Sequence, residues 1–231
     1  MIVIVNYRTG GHCTLSGPAA DLWRTLAATG DADPAIIGIP ATAIVNQMIR
    51  RNLLTEITTA RPWAPCPVTV SAASWGTIER DACLAPLPPT PRKWQVRGAV
   101  ALLATLTVRE TGRPSRRFAR MLALLRLTAR YGHPASDQQA LYALHGVRHA
   151  ARFLPARIAC LEESVATMLT LTTAGYQASW CHGVAADPIR LHAWVEADGE
   201  RVGEPASTGL FTPIMRIQSA GATQEGDSNA R

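Results

Sequence analysis

The sequence predicts an α+β protein whose two halves have different patterns. Residues 1–60 combine short strand-like runs with helical segments, and residues 92–155 are helical by the spacing of their apolar residues. Residues 160–204 then pass from a helix into two strand-like segments. Helices and strands segregated along a chain in this way are typical of an α+β fold, here with a helix packed on an antiparallel sheet.

Composition limits the class of protein. Of the 231 residues, 47% are hydrophobic, enough for one large or two small cores. The net charge of +6 comes mostly from arginine, and it suits nucleic acid, an acidic peptide or simple solubility. The five cysteines are irregularly spaced without a CxxC pair, which predicts neither a disulfide framework nor a zinc site.

The sequence carries no sign of export or membrane insertion. The N-terminus lacks the basic region and cleavage site of a signal peptide. The longest apolar run, at residues 98–108, is too short to span a bilayer. We therefore expect a cytoplasmic protein with no membrane partner.

The first 60 residues predict a compact unit of strands and helices. The segments are a hairpin at residues 2–15, a helix from near Pro18 to Gly30, a short helix opening at Asp33, a third helix opening at Pro40, and a strand at residues 54–57. This order is winged-helix-like. It resembles the PqqD-like precursor-recognition element, which binds a leader peptide as a strand added to its sheet edge beside the third helix.

That resemblance implies a set of peptide-binding residues. They are the second strand and a residue of the third helix, namely His12, Cys13, Thr14, Leu15 and Met48. The alternative is a winged helix that binds DNA. The third helix carries only Arg50 and Arg51, both at its end, so peptide is favoured over nucleic acid.

The middle of the chain predicts a linker followed by helices. Residues 61–91 form a proline-rich linker, with one short apolar element at residues 75–84. Helices are predicted at residues 94–110, 115–131 and 137–153, and the polar tail at residues 218–231 is predicted to be disordered. His145 and His149 share a helix face, but no HExxH or carboxylate pattern accompanies them, so we predict no metal site.

A cysteine opens the helix around which the second half is organised. Apolar residues follow Cys160 at helical spacing, and Gly175 stands where the helix should end. A cysteine in a first turn lies near unpaired backbone N–H groups and the positive end of the helix dipole, which favour the nucleophilic thiolate. Glu162 and Glu163 oppose a second negative charge, so we expect them to point away from the sulfur.

The acid that faces the histidine depends on a turn. Residues 176–184 and 191–197 read as strands, with His192, Trp194 and Glu196 on one face. A two-residue loop would place His192 opposite Pro205, whereas a three-residue loop at residues 197–199 places it opposite Glu204. We expect the three-residue loop, since such loops commonly end in a left-handed glycine. Glu204 would then fix the tautomer of His192, with Asp198 as its rival.

Two nearby residues are predicted to have only packing roles. Cys181 and His182 are adjacent, so in a strand they face opposite sides and are unlikely partners. Trp194 is predicted to belong to the core.

The order Cys, His, acid is that of papain-like and transglutaminase-like enzymes. The block His192-Ala193-Trp194-Val195-Glu196, followed by Asp198-Gly199, resembles the lasso-peptide leader peptidases, which are transglutaminase-like B proteins. The resemblance covers residues 139–205. It implies a papain/transglutaminase-like peptidase domain at residues 92–217, with Cys160 as nucleophile, His192 as base and Glu204 as orienting acid. The family usually has aspartate where this chain has Glu204.

The resemblance also implies partners. These are a precursor peptide and an ATP-using, asparagine synthetase-like macrolactam synthetase. The family is associated with ATP-dependent processing, yet no GxxxxGK[ST] phosphate loop occurs in the sequence. The alternative function is a non-catalytic peptide- or DNA-binding winged-helix protein with a degenerate enzyme domain.

Overall fold

The computed structural model describes residues 1–32, 39–57, 59, 61–68, 88–128, 132–156, 158–186 and 188–218. The chain divides into two compact units, Met1–Pro67 and Val68–Arg231. The division falls within the proline-rich stretch of the sequence. The short helix expected at Asp33, the apolar element at residues 75–84 and residues 219–231 of the tail lie outside the described residues.

The first unit combines a hairpin with two described helices. Strand β1 (Ile2–Val5) pairs antiparallel with β2 (His12–Leu15), with Ile2 opposite Leu15. Helices α1 (Gly17–Thr29) and α2 (Ile39–Arg50) follow. Their core contains the buried side chains Leu22, Leu26 and Val45. Pro18 lies in the first turn of α1, and Gly30 ends it in the left-handed conformation, as predicted.

The strand expected at residues 54–57 is absent, and that prediction was wrong. Asn52 takes a left-handed conformation (φ 56°) after α2 and redirects the chain. Leu54 then packs against the helical core and does not extend the hairpin. The chain continues over α1, where the N–H of Trp63 donates to the carbonyl of Ala27 (2.8 Å). The winged-helix-like interpretation stays a prediction.

The second unit begins with three of the helices that support the site. They are α3 (Arg92–Glu110), α4 (Arg117–Thr128) after a 3₁₀ turn at Pro114–Arg116, and α5 (Asp137–Ala151). Helices α3 and α5 cross in backbone contact, because a Cβ at Gly98 or Gly146 would overlap the other helix. Leu102, Val147 and Ala166 are fully buried in this core. The three predicted helices are confirmed, and their ends differ from the predicted ones by at most two residues where described.

Helix α6 (Cys160–Thr173) packs on an antiparallel sheet. The sheet order is β7-β6-β5-β8, with β5 at Ser179–Ala186, β6 at Ile189–Ala197, β7 at Glu200–Arg201 and β8 at Thr212–Ile217. A short parallel pair, β3 (His133–Pro134) with β4 (Tyr176–Gln177), lies outside this sheet. Trp180 fixes the helix to the sheet by donating from Nε1 to Oγ of Ser164 (2.9 Å). The α+β class is therefore confirmed.

Candidate active site

Cys160 stands at the first position of α6. The residue before it, Ala159, is extended (φ −98°, ψ 174°), so the helix starts at the cysteine itself. Oε2 of Glu162 accepts the N–H of Ala159 (3.1 Å) and satisfies one donor at this end. The N–H groups of the first turn have no carbonyl partner within the helix. The half-buried Cys160 side chain thus lies at the positive end of the helix dipole.

Arginines hold both glutamates of this first turn. Nη1 of Arg109 donates to Oε1 of Glu162 (2.9 Å). Arg148 donates to both oxygens of Glu163, from Nε (3.1 Å) and from Nη2 (2.9 Å). The two carboxylates are thereby compensated, which reduces their opposition to a negative charge on the sulfur.

His192 lies between the cysteine and a carboxylate. Its Nε2 is 2.7 Å from Oε2 of Glu204. Its ring also interacts with the Cys160 side chain, and this interaction raises the pKa of the imidazole. Because Nε2 faces Glu204, Nδ1 is the ring nitrogen left for the sulfur. The structure therefore brings Cys160, His192 and Glu204 together, whereas Asp198 is exposed at the tip of the hairpin.

The loop that delivers Glu204 differs from the expected one. Glu196 pairs with Arg201 and Ala197 with Glu200, so the turn has two residues and the predicted three-residue loop was wrong. Asp198 and Gly199 both have positive φ (48° and 82°), as a two-residue hairpin of the primed kind requires. Val202 makes a last ladder bond to Val195, and Gly203 then turns with φ 59°. That turn brings Glu204 to the imidazole.

A buried threonine fixes the carboxylate. Oγ1 of Thr208 donates to the same Oε2 of Glu204 that faces His192 (2.8 Å). Thr208 is 2% exposed, and the Glu204 side chain is 9% exposed. Arg148 donates from Nη1 to the carbonyl of Gly203 (3.3 Å) and so supports the turn. Sequence reasoning missed Thr208 because residues 206–210 carry no helix or strand period.

The neighbours of His192 raise its pKa more than burial lowers it. Burial lowers its pKa, but the hydrogen bonds to Cys160 and Glu204, together with their charges, outweigh burial and raise the pKa to about 9. Burial raises the pKa of Glu204, but the hydrogen bond and charge of His192, the hydrogen bond from Thr208 and the charge of Arg148 outweigh burial and hold the pKa below its usual value. At neutral pH this arrangement favours an imidazolium between a carboxylate and the sulfur.

Aromatic rings enclose the imidazole. The ring centroids of Trp194 and Phe211 lie 5.9 Å and 5.2 Å from that of His192. Trp194 is 1% exposed, which confirms it as a core residue, and its Nε1 donates to Oε1 of Glu196 (2.8 Å). Arg216 pairs with the other oxygen of Glu196 (2.7 Å). Both carboxylate oxygens of Glu196 therefore have partners other than the imidazole.

Cys181 and His182 are buried and have packing roles, as predicted. Burial, and then the charge of Glu196, raise the pKa of the Cys181 thiol to about 12. Burial lowers the pKa of His182 to about 4, with a contribution from the charge of His192. The His182 ring stacks on Trp180 at 5.9 Å.

The residues expected to bind peptide lie in the first unit. His12 and Thr14 are exposed on β2, and Cys13 and Leu15 are half-buried. Met48 is 3% exposed, so its side chain belongs to the core of that unit and offers little surface. The arrangement of these described residues does not by itself identify a ligand.

The structure offers no metal centre in the part that it describes. Among those residues, no group of three His, Cys, Asp or Glu side chains is placed to hold an ion. His145 and His149 are half-buried, and His149 packs edge-on against Phe153 at 5.3 Å. In the same described part of the chain, no helix combines the length and apolarity needed to cross a membrane.

Comparison with known proteins identifies the second unit. No curated protein and no solved structure matches the chain. The family model described as transglutaminase-like superfamily matches residues 99–216, more than half of the 231 residues. The matched stretch contains Cys160, His192 and Glu204. The chain therefore belongs to the transglutaminase-like superfamily.

Proposed function

We propose that the chain is a cysteine peptidase that removes the leader of a ribosomally made lasso-peptide precursor. The observation that carries the proposal is the continuous contact from Cys160 through His192 to Glu204, closed by the 2.7 Å approach of Nε2 to the carboxylate. The superfamily to which the domain belongs includes cysteine peptidases. The lasso-peptide assignment rests on the HAWVE block and its distance from the cysteine helix.

The acylation step uses the thiolate and the imidazolium. The sulfur of Cys160 attacks the carbonyl carbon of the scissile peptide bond and forms a tetrahedral oxyanion. Backbone N–H groups at the start of α6 are the proposed donors to that oxygen. Nδ1 of His192 gives its proton to the leaving nitrogen, and the C–N bond breaks. The leader remains on Cys160 as a thioester, and the core peptide departs with a free amine.

Deacylation returns the enzyme to its starting state. A water molecule attacks the thioester carbon while His192, now neutral, accepts its proton. The C–S bond breaks, the thiolate leaves, and the leader departs with a carboxyl terminus. Glu204 stabilises the imidazolium on both sides of the cycle and fixes the ring orientation, as the acid of a triad does. Thr208 restrains the carboxylate through its hydrogen bond of 2.8 Å.

In this proposal the first unit is the PqqD-like element that captures the leader. Within the described residues its sheet has two strands, so the second edge of β2 has no neighbouring strand there. A leader could add to that edge at His12 to Leu15. Met48 is buried in the same unit, so in this proposal it would contribute to the packing of the unit and not to direct contact with the leader. The released core peptide would pass to an ATP-using macrolactam synthetase, and no residue of this chain is assigned to ATP.

Cleavage of a synthetic precursor tests the function. Wild-type protein, Cys160→Ala and Cys181→Ala are incubated with a lasso-type precursor, and the products are read by mass spectrometry. We expect one cut between leader and core with wild type and Cys181→Ala, and none with Cys160→Ala. A wild-type protein that binds the precursor and leaves it intact would instead support a non-catalytic binding protein.

A further inference from the structure

A second cationic side chain stands beside the imidazole. Arg190 precedes His192 by two positions on β6, and it pairs with Ala185 of β5. Alternate residues of a strand face the same side and lie roughly 7 Å apart. Arg190 is therefore on the same face of the sheet as His192, toward the end at which β6 begins.

Phe211 joins the two side chains. Cζ of Arg190 lies 5.4 Å from the centroid of the Phe211 ring. The centroid of the same ring lies 5.2 Å from that of His192. The ring attracts the guanidinium and holds it as part of the wall next to the imidazole.

The guanidinium of Arg190 has unused hydrogen-bonding capacity. Its Nε is buried from solvent and has no hydrogen-bond partner among the described residues. Arg109 and Arg148, which flank the start of α6, are each paired with a glutamate. A buried N–H donor without an acceptor costs free energy until a partner reaches it. Among the described residues, Arg190 thus differs from Arg109 and Arg148 in having a buried donor without an acceptor, on the face of the sheet that carries His192.

We propose that Arg190 is a specificity-determining residue that binds a carboxylate of the substrate. The planar guanidinium matches a carboxylate with two parallel hydrogen bonds. At about 3.3 Å per extended residue, its distance along the strand from His192 places that carboxylate within roughly three residues of the scissile bond. The carboxylate belongs to an acidic side chain of the substrate or to its C-terminus. This inference rests on the proposed peptidase function.

Alkylation of Cys160 tests the cationic subsite without any peptide. Iodoacetate and iodoacetamide react with the same thiolate, but only iodoacetate carries a carboxylate. The ratio of their rate constants at Cys160 is measured for wild type, Arg190→Gln, Arg190→Lys and Arg126→Gln. Arg126 is exposed near the end of α4. This end of α4 lies at the end of α6 remote from Cys160, where Oγ1 of Thr172 donates to the carbonyl of Thr128. Arg126→Gln therefore has the same net charge as Arg190→Gln but lies far from the sulfur.

In Arg190→Gln the loss of the positive charge should lower the ratio of the iodoacetate to the iodoacetamide rate constant about threefold to tenfold. Arg190→Lys should keep most of the preference, and Arg126→Gln should keep all of it. An equal ratio in Arg190→Gln and Arg126→Gln would overturn the proposal. Because the ratio compares two reagents on one thiolate, a change in thiolate fraction does not alter it.

A peptide library identifies the carboxylate. Because it uses only wild-type protein, it also tests the subsite if Arg190→Gln folds poorly. Wild-type protein is incubated with a library of precursor peptides that keep the leader and are randomised around the leader–core junction, in one set amidated and in the other set free at the C-terminus, and the cut sites are read by mass spectrometry. We expect enrichment of Asp or Glu at one position near the cut in both sets. Enrichment confined to free C-termini near the cut would assign the terminal carboxylate. Cleavage without either preference would refute the subsite, whereas a library left uncut would refute the peptidase function and this inference with it.

Discussion

The second unit contains two cysteine–histidine pairs with opposite electrostatics. Cys160 and His192 come from a helix start and a strand, and Cys181 and His182 are adjacent on β5. Both histidines are largely buried, yet the pKa of His182 falls to about 4 and that of His192 rises to about 9. Burial acts against the charged form in both. The difference lies in Glu204 and Cys160, whose interactions with His192 stabilise its imidazolium.

The two cysteines have different surroundings. Cys181 is fully buried beside Glu196, whose negative charge disfavours a thiolate, and its pKa is about 12. Cys160 stands at a helix N-terminus and contacts an imidazolium. Proximity in sequence therefore does not give the two pairs the same surroundings. Around Cys160 and His192, a helix start, a strand and a loop supply the dipole, the ring and the acid from separate elements.

The largest expected effect separates the two cysteines. Cys160→Ala and His192→Ala should each lower turnover of the precursor by about a thousandfold or more, because the members of such a unit act together. The double variant should be little worse than either single variant. Cys181→Ala, the matched control, should retain turnover. Full activity in Cys160→Ala would rule out the assigned nucleophile.

Substitution of Glu204 should have the second-largest effect on turnover. Glu204→Gln removes the charge that stabilises the imidazolium and should lower turnover by about tenfold to a hundredfold. Asp198→Asn, at the exposed tip, should be nearly silent, and Glu204→Asp should keep substantial activity if the site tolerates either length. Turnover of the three variants on one precursor at saturating concentration is the measurement. An inactive Asp198→Asn beside a normal Glu204→Gln would show that the wrong acid has been assigned.

The pH profile sharpens the role of Glu204. His192 must be protonated for acylation, so turnover should fall as pH rises through about 9. In Glu204→Gln the hydrogen bond and charge that raise this pKa are lost, and the alkaline limb should move to lower pH. An unchanged alkaline limb in Glu204→Gln would mean that the carboxylate does not set the protonation of His192.

Thr208 should have a smaller effect. Thr208→Val removes the hydroxyl that donates to Oε2 of Glu204 and should lower turnover severalfold, about the worth of one hydrogen bond to a charged group. Thr208→Ser, which keeps the hydroxyl, should recover most of the loss. If serine and valine behave alike, packing and not the hydrogen bond explains the residue.

The two histidines should also give opposite pH dependence of folding stability. The raised pKa of His192 stabilises the fold below 6.5, and this contribution is lost as pH rises through about 9. The lowered pKa of His182 has the reverse effect, so stability is lost as pH falls from 6.5 toward about 4. Each of these changes in the free energy of unfolding should amount to at most about 3.4 kcal/mol. Denaturant unfolding across pH should show a maximum near 6.5, with the acid slope reduced in His182→Gln and the alkaline slope reduced in Glu204→Gln.

Sequence patterns predicted the helix that carries the cysteine more reliably than the loop that delivers the acid. Cys160 begins α6 and Gly175 follows its end, because a helix start and a glycine stop are local properties. Loop length was predicted wrongly, since both a two-residue and a three-residue turn suit an Asp-Gly pair. The contact with Glu204 then depends on Gly203, whose left-handed turn compensates for the changed register.

The segment after Glu204 was the least predictable. Strand β8 contains Pro213, and proline within a run argues against a strand unless the strand lies at an edge. Here β8 is the edge of the sheet, with a register shift opposite His182 and Gly183. Thr208 and Phe211 reach the imidazole and its acid from this segment through tertiary contacts that no local pattern encodes.

Trapping the acyl-enzyme is the most direct test of whether Cys160 is the nucleophile. Wild-type protein is mixed with precursor, quenched in acid during turnover, digested and mapped by tandem mass spectrometry. We expect the leader attached as a thioester to the peptide that contains Cys160, and no such adduct in Cys160→Ala. Cleavage that proceeds with the leader attached to another cysteine, or equally well in Cys160→Ala, would contradict it.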